Sequence, residues 1–121
     1  MKYLIALNIA LIGILAILVS WKHEIVYVYE PEVIQAVITA YSKHETCPNE
    51  ECITASGKVA TTGFVACPRA FKLGVRVEIN GNEYVCEDRT SKKYDGRWDI
   101  WHDSYEDALE FGLQKQEVVI R

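Results

Sequence analysis

The sequence predicts a small, mainly β domain, a closed barrel with one short helix, behind an apolar N-terminal segment. Short runs rich in β-branched residues alternate with turn residues along most of the chain, which is typical of a barrel. The one clear helical pattern has capping residues before it and a glycine after it. A length of 121 residues fits a single domain.

The first 22 residues are predicted to be a transmembrane anchor or a secretory signal. Residues 3–21 carry no charge, and a helix of that length spans about 28 Å, close to the ~30 Å hydrocarbon core of a bilayer. Trp21 and Lys22 suggest an interfacial stop, so we favour an uncleaved anchor over a cleaved signal. Residues 23–36 are then a stalk and strand entry, and residues 37–121 are the barrel domain.

Within the barrel domain, the turn signals separate the predicted strands from one another. Asn80-Gly81 predicts a tight hairpin. Ser42–Glu51 and Arg89–Gly96 are polar and are predicted to be loops. A helix is expected after the overlapping capping boxes that begin at Asp103 and Ser104, and it should stop at Gly112. The predicted strands are Val33–Tyr41, Lys58–Cys67, Val75–Ile79, Glu83–Glu87, Arg97–Trp101 and Gln116–Ile120.

The four cysteines are expected to form disulfides, because an even number behind a membrane-crossing segment indicates an oxidising compartment. Three pairings are possible, and we favour Cys47–Cys52 with Cys67–Cys86. Two alternatives stay open: four free thiols, or a zinc site in which His44 joins Cys47 and Cys52 without the usual paired spacing. The net charge of −4 and the lack of a dense basic patch argue against a nucleic-acid partner.

Several short motifs follow one another between residues 38 and 121: Thr54-Ala55-Ser56-Gly57, Val65-Ala66-Cys67-Pro68, Glu87-Asp88, Arg97-Trp98-Asp99, and Asp103-Ser104 with Phe111-Gly112. Together they resemble the three-aspartate (3D) domain family, relatives of membrane-bound lytic transglycosylase A and of other double-psi β-barrel cell-wall enzymes. Two departures stand out. Cys67 replaces one of the name-giving aspartates, and Arg89-Thr90-Ser91 replaces a Thr-Gly-Gly turn.

The resemblance implies a double-psi β-barrel that cleaves peptidoglycan glycan strands as a lytic transglycosylase, with no cofactor and no metal. One carboxyl group protonates the glycosidic oxygen and then accepts the proton of the sugar's own 6-hydroxyl as a 1,6-anhydro ring closes. Asp99 is the expected acid and base. Asp88 is the expected second carboxylate, whose charge would raise the pKa of Asp99.

Strand alternation places Arg97, Asp99 and Trp101 on one face, while Trp98 and Ile100 on the other face should fill the barrel. Residues on the face of Asp99 are candidates for holding the sugar or a carboxylate attached to it. The expected substrate-binding residues are Arg97, Trp101, Thr54 and Tyr94.

Each assignment has an alternative. Asp99 could be a structural carboxylate paired with Arg97 or Arg89, and Asp88 could cap a turn beside Thr90. The whole domain could be a non-catalytic glycan-binding or scaffold module on a membrane tether, or a hydrolase of another polysaccharide. The expected location is the cell envelope, with the C-terminal domain extracytoplasmic, or secreted if the N-terminal segment is cleaved.

Overall fold

The computed structural model describes residues 3, 5, 8–13 and 25–121, and the six strands of the continuous part form a closed β-barrel. Two α-helices accompany the strands in this part of the chain, α1 (Lys43–Thr46) and α2 (Tyr105–Phe111), with a 3₁₀ turn at Lys92–Tyr94. The strands of the described residues are β1 (Glu32–Tyr41), β2 (Phe64–Cys67), β3 (Arg76–Ile79), β4 (Asn82–Arg89), β5 (Trp98–Trp101) and β6 (Gln114–Ile120).

The strand order around the barrel is β1-β5-β2-β4-β3-β6, with β6 returning to β1. The pairs β1/β5 and β2/β4 are parallel, and the remaining neighbours are antiparallel. The prediction of a mainly β closed barrel is therefore confirmed. In both parallel pairs at least one other strand lies between the partners in sequence, so each pair needs a crossover connection.

The barrel interior is filled by side chains that alternate along each strand. Trp98 is fully buried and packs 5.0 Å from the ring of Phe71, and Ile100 lies beside it in the same core. The prediction that Trp98 and Ile100 fill the barrel is confirmed. Val65 and Cys86 also point inward, so the opposite faces of β5, β2 and β4 are left for outward side chains.

Local sequence signals fix two of the connections as expected. Asn80 and Gly81 both have positive φ, 51° and 77°, as a two-residue hairpin with the twist of its strands requires. The Ser104 hydroxyl accepts a hydrogen bond from the Asp107 N–H at 3.0 Å and caps α2. Gly112 ends that helix with φ 62°.

Other boundaries differ from the prediction. The expected strand Lys58–Cys67 begins only at Phe64, because Lys58 and Ala60 bond to Thr54 and Cys52 of the preceding loop rather than to the barrel. Likewise α1 lies inside the segment predicted to be a loop, and the 3₁₀ turn interrupts the second predicted loop. Both are single turns, too short to show a helical repeat in the sequence.

The predicted membrane anchor falls mainly on residues outside those that the structure describes. Residues 8–13 are helical. None of the helices that the structure describes is both long enough and apolar enough to cross a bilayer. Residues 25–31 have no regular secondary structure, and β1 begins at Glu32, within the expected strand entry.

All four cysteines are paired, as Cys47–Cys52 and Cys67–Cys86, with Cα atoms 5.5 Å and 5.6 Å apart. Both predicted disulfides are confirmed. The alternatives of four free thiols and of a zinc site at Cys47 and Cys52 are excluded, because every sulfur is already bonded. The first bridge closes a surface loop, and the second joins β2 to β4 inside the core.

Replacing Cys67 and Cys86 together with alanine is expected to destabilise the fold more than replacing Cys47 and Cys52. The sequence separation is 19 residues for the Cys67–Cys86 disulfide and 5 for the Cys47–Cys52 disulfide. Loop-closure entropy then gives about 3 and about 2 kcal/mol respectively, before the loss of buried sulfur in the core is added to the first. Urea denaturation followed by tryptophan fluorescence would rank the two double variants. An equal or reversed order would contradict this account.

Candidate functional site

A row of outward-facing side chains crosses four neighbouring strands. Thr39 on β1 lies opposite Asp99 on β5, Asp99 lies opposite Ala66 on β2, and Ala66 lies opposite Asp88 on β4. The two aspartates therefore flank one alanine, with Cα atoms two strand spacings, or about 10 Å, apart. The small Ala66 side chain leaves open space between their carboxyl groups.

A β-bulge in β4 turns Asp88 to this face. Val65 pairs with Cys86, but the next residue, Ala66, pairs with Asp88, so Glu87 is passed over. Simple alternation from the inward Cys86 would have pointed Asp88 into the barrel. The extra residue restores it to the outer face.

The bulged residue is itself held firmly. The buried Glu87 carboxylate accepts a hydrogen bond from Lys58 Nζ at 2.8 Å, which lowers the pKa of Glu87. Its backbone carbonyl accepts the Ser56 N–H at 3.0 Å. These two contacts pin the loop that contains Thr54 against β4, immediately beside Asp88.

A cavity of about 410 Å³ opens over the row of side chains. Its wall includes both aspartates together with Tyr41, Tyr94 and Arg97. A second cavity of about 290 Å³ shares Tyr41 and Asp88 with the first, so the two cavities are adjacent. The two predicted carboxylates thus meet one solvent-accessible space, as an acid and base acting on a polymer would require.

Asp88 is anchored by three hydrogen bonds. Its Oδ2 accepts the Tyr41 hydroxyl at 2.9 Å, and its Oδ1 accepts the backbone N–H groups of Ala55 at 3.0 Å and Arg89 at 2.8 Å. Burial first, and then the Asp88 charge, raises the pKa of Tyr41, so Tyr41 stays a donor at neutral pH. The bond to Arg89 is local, as the capping alternative expected, whereas the other two join Asp88 to distant parts of the chain.

Asp99 is held more loosely and lies in a less polar setting. Its Oδ1 accepts one hydrogen bond from the Thr39 hydroxyl, at 3.0 Å. Burial raises the pKa of Asp99 to about 6, and the charges of Glu45 and Asp88 add to this, against the opposing effects of the Thr39 bond and of Arg97. A carboxyl with such a pKa can both give and take a proton near neutrality.

The structural alternative for Asp99 required an ion pair with Arg97 or Arg89. Neither pair is present among the described residues. Arg89 instead donates to the carbonyl oxygens of Pro68 and Phe71, at 2.9 and 2.7 Å. Arg97 lies over the ring of Tyr94, with 4.5 Å from its guanidinium carbon to the ring centre.

Two of the expected substrate-binding residues lie away from the main cavity. Trp101 is on the predicted face but only 6 % exposed, because the loop closed by Cys47–Cys52 covers it. Its indole packs edge-on against Tyr41 at 5.2 Å and donates to Asp103 at 2.8 Å. Its observed contacts therefore support Tyr41.

Thr54 is also buried, and it lines the second cavity. Its hydroxyl bonds to the Lys58 carbonyl at 3.0 Å and to the Ser56 hydroxyl at 2.9 Å. It shapes the loop whose Ala55 N–H holds Asp88. Arg97 and Tyr94, by contrast, both lie in the wall of the main cavity, together with the two aspartates.

Sequence reasoning missed Thr39 and Tyr41, which orient Asp99 and Asp88. The available signal was strand alternation: Thr39 and Tyr41 are two positions apart and share one face of β1, while the apolar Ile38 lies on the other face. The partner of Thr39 follows from the parallel register of β1 and β5, and the partner of Tyr41 follows from the strand order that brings β4 near β1. The described residues contain no group of three or more His, Cys, Asp or Glu side chains placed to hold a metal ion.

No protein-family model matches the chain, and a search of curated proteins also finds no match. Membership of the three-aspartate family therefore stays a prediction that rests on the short motifs.

The raised pKa of Asp99 predicts a pH-dependent effect of replacing it. Its folded-state pKa of about 6 exceeds the ordinary 3.8. Folding therefore favours the protonated form, and stability is lost as pH rises from about 4 to about 6. Asp99→Asn removes this loss and should stabilise the protein at pH 7 by on the order of 2 kcal/mol, allowing for residual solvent screening.

Denaturant titrations at pH 4 and pH 7 would measure this effect, with the exposed helix residue Asp107→Asn as the matched control. The advantage of Asp99→Asn should shrink towards pH 4, and the control should show no gain in stability at pH 7. An Asp99→Asn change in stability that is equal at both pH values would show that ionisation of Asp99 does not destabilise the fold.

Proposed function

We propose that this chain is a lytic transglycosylase that cleaves the glycan strands of bacterial peptidoglycan, with Asp99 as its acid and base. The proposal rests on the setting of one carboxyl group, that of Asp99. Asp99 lies in the wall of an open cavity, burial raises its pKa to about 6, and an anchored second carboxylate lies across Ala66 from it.

In the proposed reaction, protonated Asp99 gives its proton to the glycosidic oxygen as the bond from that oxygen to the anomeric carbon breaks. The resulting carboxylate takes the proton of the same sugar's 6-hydroxyl, and the 6-oxygen bonds to the anomeric carbon. The product end is a 1,6-anhydro ring. No water is consumed, and Asp99 returns to its protonated state.

The pKa of Asp99 suits this double role. At pH 7 roughly one tenth of the chains would carry the proton, and the conjugate base is strong enough to accept one back. Thr39 orients the carboxyl through its hydrogen bond. A pKa near the ordinary value for aspartate would leave a protonated fraction about a hundredfold smaller at the same pH.

Asp88 has a different role in this proposal. Its three hydrogen bonds hold it in place as an acceptor. From there its negative charge disfavours ionisation of Asp99 and stabilises the positive charge that develops on the sugar ring as the glycosidic bond breaks. Tyr41 fixes the direction in which Asp88 presents that charge.

The finer fold and the location belong to the same proposal. A barrel with two parallel pairs, β1/β5 and β2/β4, supports the double-psi type that the motifs imply. The uncharged stretch at residues 3–21 supports a single-pass anchor, and the two disulfides support an extracytoplasmic, oxidising location. In that setting the barrel would face the cell wall.

The activity prediction concerns purified cell-wall sacculi incubated with the protein. We expect soluble 1,6-anhydromuropeptides, with a rate that falls above about pH 6 as Asp99 loses its proton. Asp99→Asn should reduce the rate about a hundredfold or more. Asp88→Asn should reduce it less and shift the alkaline fall to lower pH, because a charge that raises the pKa of Asp99 is removed.

Asp107→Asn again serves as the control and should keep full activity. An Asp99→Asn protein with full activity would refute the assignment of the acid. The absence of anhydro products under both reducing and oxidising conditions would refute the proposed transglycosylase activity.

A non-catalytic glycan-binding module is the second candidate, favoured by one observation. Cys67 stands where the resemblance places a carboxylate, and its sulfur is bonded to Cys86 in the core. This candidate expects saturable binding to sacculi with no product released, and Asp99→Asn would then leave the binding largely intact.

A hydrolase of another polysaccharide is the third candidate, because two carboxylates flanking one cavity are also the usual pair of a glycosidase. Product analysis in heavy-oxygen water separates it from the transglycosylase. We expect no label in the new reducing-end sugar, since ring closure uses the sugar's own 6-hydroxyl. Incorporation of one heavy oxygen per cleavage would establish hydrolysis instead.

A further inference from the structure

Arg97 stands in the wall of the main cavity with its charge available to a ligand. Its guanidinium carbon lies 4.5 Å from the centre of the Tyr94 ring, within the range of a cation–π contact, and this contact helps to hold the group at the cavity wall. No ion pair to Arg97 occurs within the described part of the chain. Arg69, in contrast, lies 3.6 Å from Asp95. The planar donors of Arg97 match the two oxygens of a carboxylate.

Thr90 supplies an independent observation at the same cavity. Thr90 lines the cavity wall beside Tyr94 and is only 6 % exposed. Its hydroxyl has no hydrogen-bond partner among the described residues. A buried hydroxyl without a partner costs about 1–3 kcal/mol. A change of rotamer at Thr90 redirects its hydroxyl, and a ligand oxygen in the cavity can then complete this bond.

The charges that face Asp99 make an anion beside it costly while Asp99 is ionised. Glu45 faces it from α1 and Asp88 from β4, and both charges are negative. Tyr41, from β1, is neutral at pH 7, since its ordinary pKa of 10.0 already lies above that pH and burial raises it further. Arg97 is the cation that acts on Asp99 from this side. An anion that engages Arg97 adds one negative charge, which offsets the attraction of Arg97 for ionised Asp99, so the site then favours a neutral Asp99.

We propose that Arg97, Tyr94 and Thr90 form a subsite for a carboxylate carried by the substrate, and that filling this subsite drives protonation of Asp99. The proposal rests on the function proposed above and names the substrate class more closely. The favoured substrate is a glycan with a carboxylate near the bond to be broken. The negative charge of the substrate carboxylate then favours the protonated form of Asp99, which is the form that acts as the acid.

The coupling between carboxylate and proton has to be reciprocal. If the bound carboxylate strengthens proton binding at Asp99 by some factor, protonation of Asp99 strengthens carboxylate binding by the same factor. A carboxylate ligand is itself ionised above about pH 5. Its affinity should therefore fall between pH 5 and pH 8 as Asp99 ionises, whereas a neutral analogue should show no such change.

The test uses N-acetylmuramic acid as the probe, with its methyl ester and N-acetylglucosamine as neutral analogues. Chemical-shift titrations would be made on the full chain in detergent micelles at pH 5 and pH 8. We expect the acid to bind about tenfold more tightly at pH 5, and the neutral sugars to bind equally at both. Saturating acid should raise the titration midpoint of the Asp99 carboxyl carbon by about one pH unit.

The variants Arg97→Gln, Arg97→Lys and Thr90→Val then locate the subsite, with Arg76→Gln, on another face of the barrel, as the matched control. Arg97→Gln should remove both the preference for the acid and the shift in the Asp99 midpoint. Arg97→Lys should keep part of each, because the charge remains without the planar fork. Thr90→Val should weaken binding of the acid severalfold, and the control should change nothing.

Failure of the acid to bind, equal binding of the acid and its methyl ester, or an affinity for the acid that does not change with pH would each overturn the proposal. These outcomes are separate from failure of the enzyme. Sacculi cleaved normally by Arg97→Gln would contradict the subsite and leave the transglycosylase standing. Selective, pH-dependent binding of the acid without cleavage of sacculi would support the subsite and contradict the transglycosylase.

Discussion

The candidate site depends on one irregularity in strand pairing, the passing over of Glu87 where β4 meets β2. Without it, Asp88 would follow the inward direction of Cys86, and its carboxylate would enter an apolar core at a prohibitive cost in desolvation. With it, Asp88 joins the outward row of Thr39, Asp99 and Ala66. The contacts of Glu87 with Lys58 and Ser56 are what hold this irregularity in one register.

The two aspartates differ because their surroundings differ, although both face one cavity. Asp88 receives three donors, one from a neighbouring backbone group and two from distant segments, and is thereby fixed. Asp99 receives a single hydroxyl and is otherwise desolvated, so its pKa is raised. Keeping a carboxyl in such a setting lowers stability at neutral pH. A carboxyl with a raised pKa near an anchored second carboxylate is typical of acid–base sites.

The sequence could predict what is encoded locally. Asn80-Gly81 and the cap at Ser104 are decided by neighbouring residues, and alternation along β5 correctly separated Trp98 from Asp99. Features set by long-range pairing were not accessible. The bulge at Glu87 interrupts no visible pattern in the sequence. The contact between Tyr41 and Asp88 depends on the order of β1, β5, β2 and β4 around the barrel, which joins strands far apart in the chain.

The proposed resemblance places an aspartate at the position of Cys67, so the surroundings of Cys67 bear on whether the cavity could support chemistry. Cys67 is fully buried, and its neighbour Ala66 is the residue that points outward between the two carboxyl groups. A side chain at position 67 therefore points into the barrel, below the cavity wall, and its identity removes no group from that wall. The bridge to Cys86 instead ties β2 to β4 next to the bulge. A covalent link at that point favours the single register on which the placement of Asp88 relies.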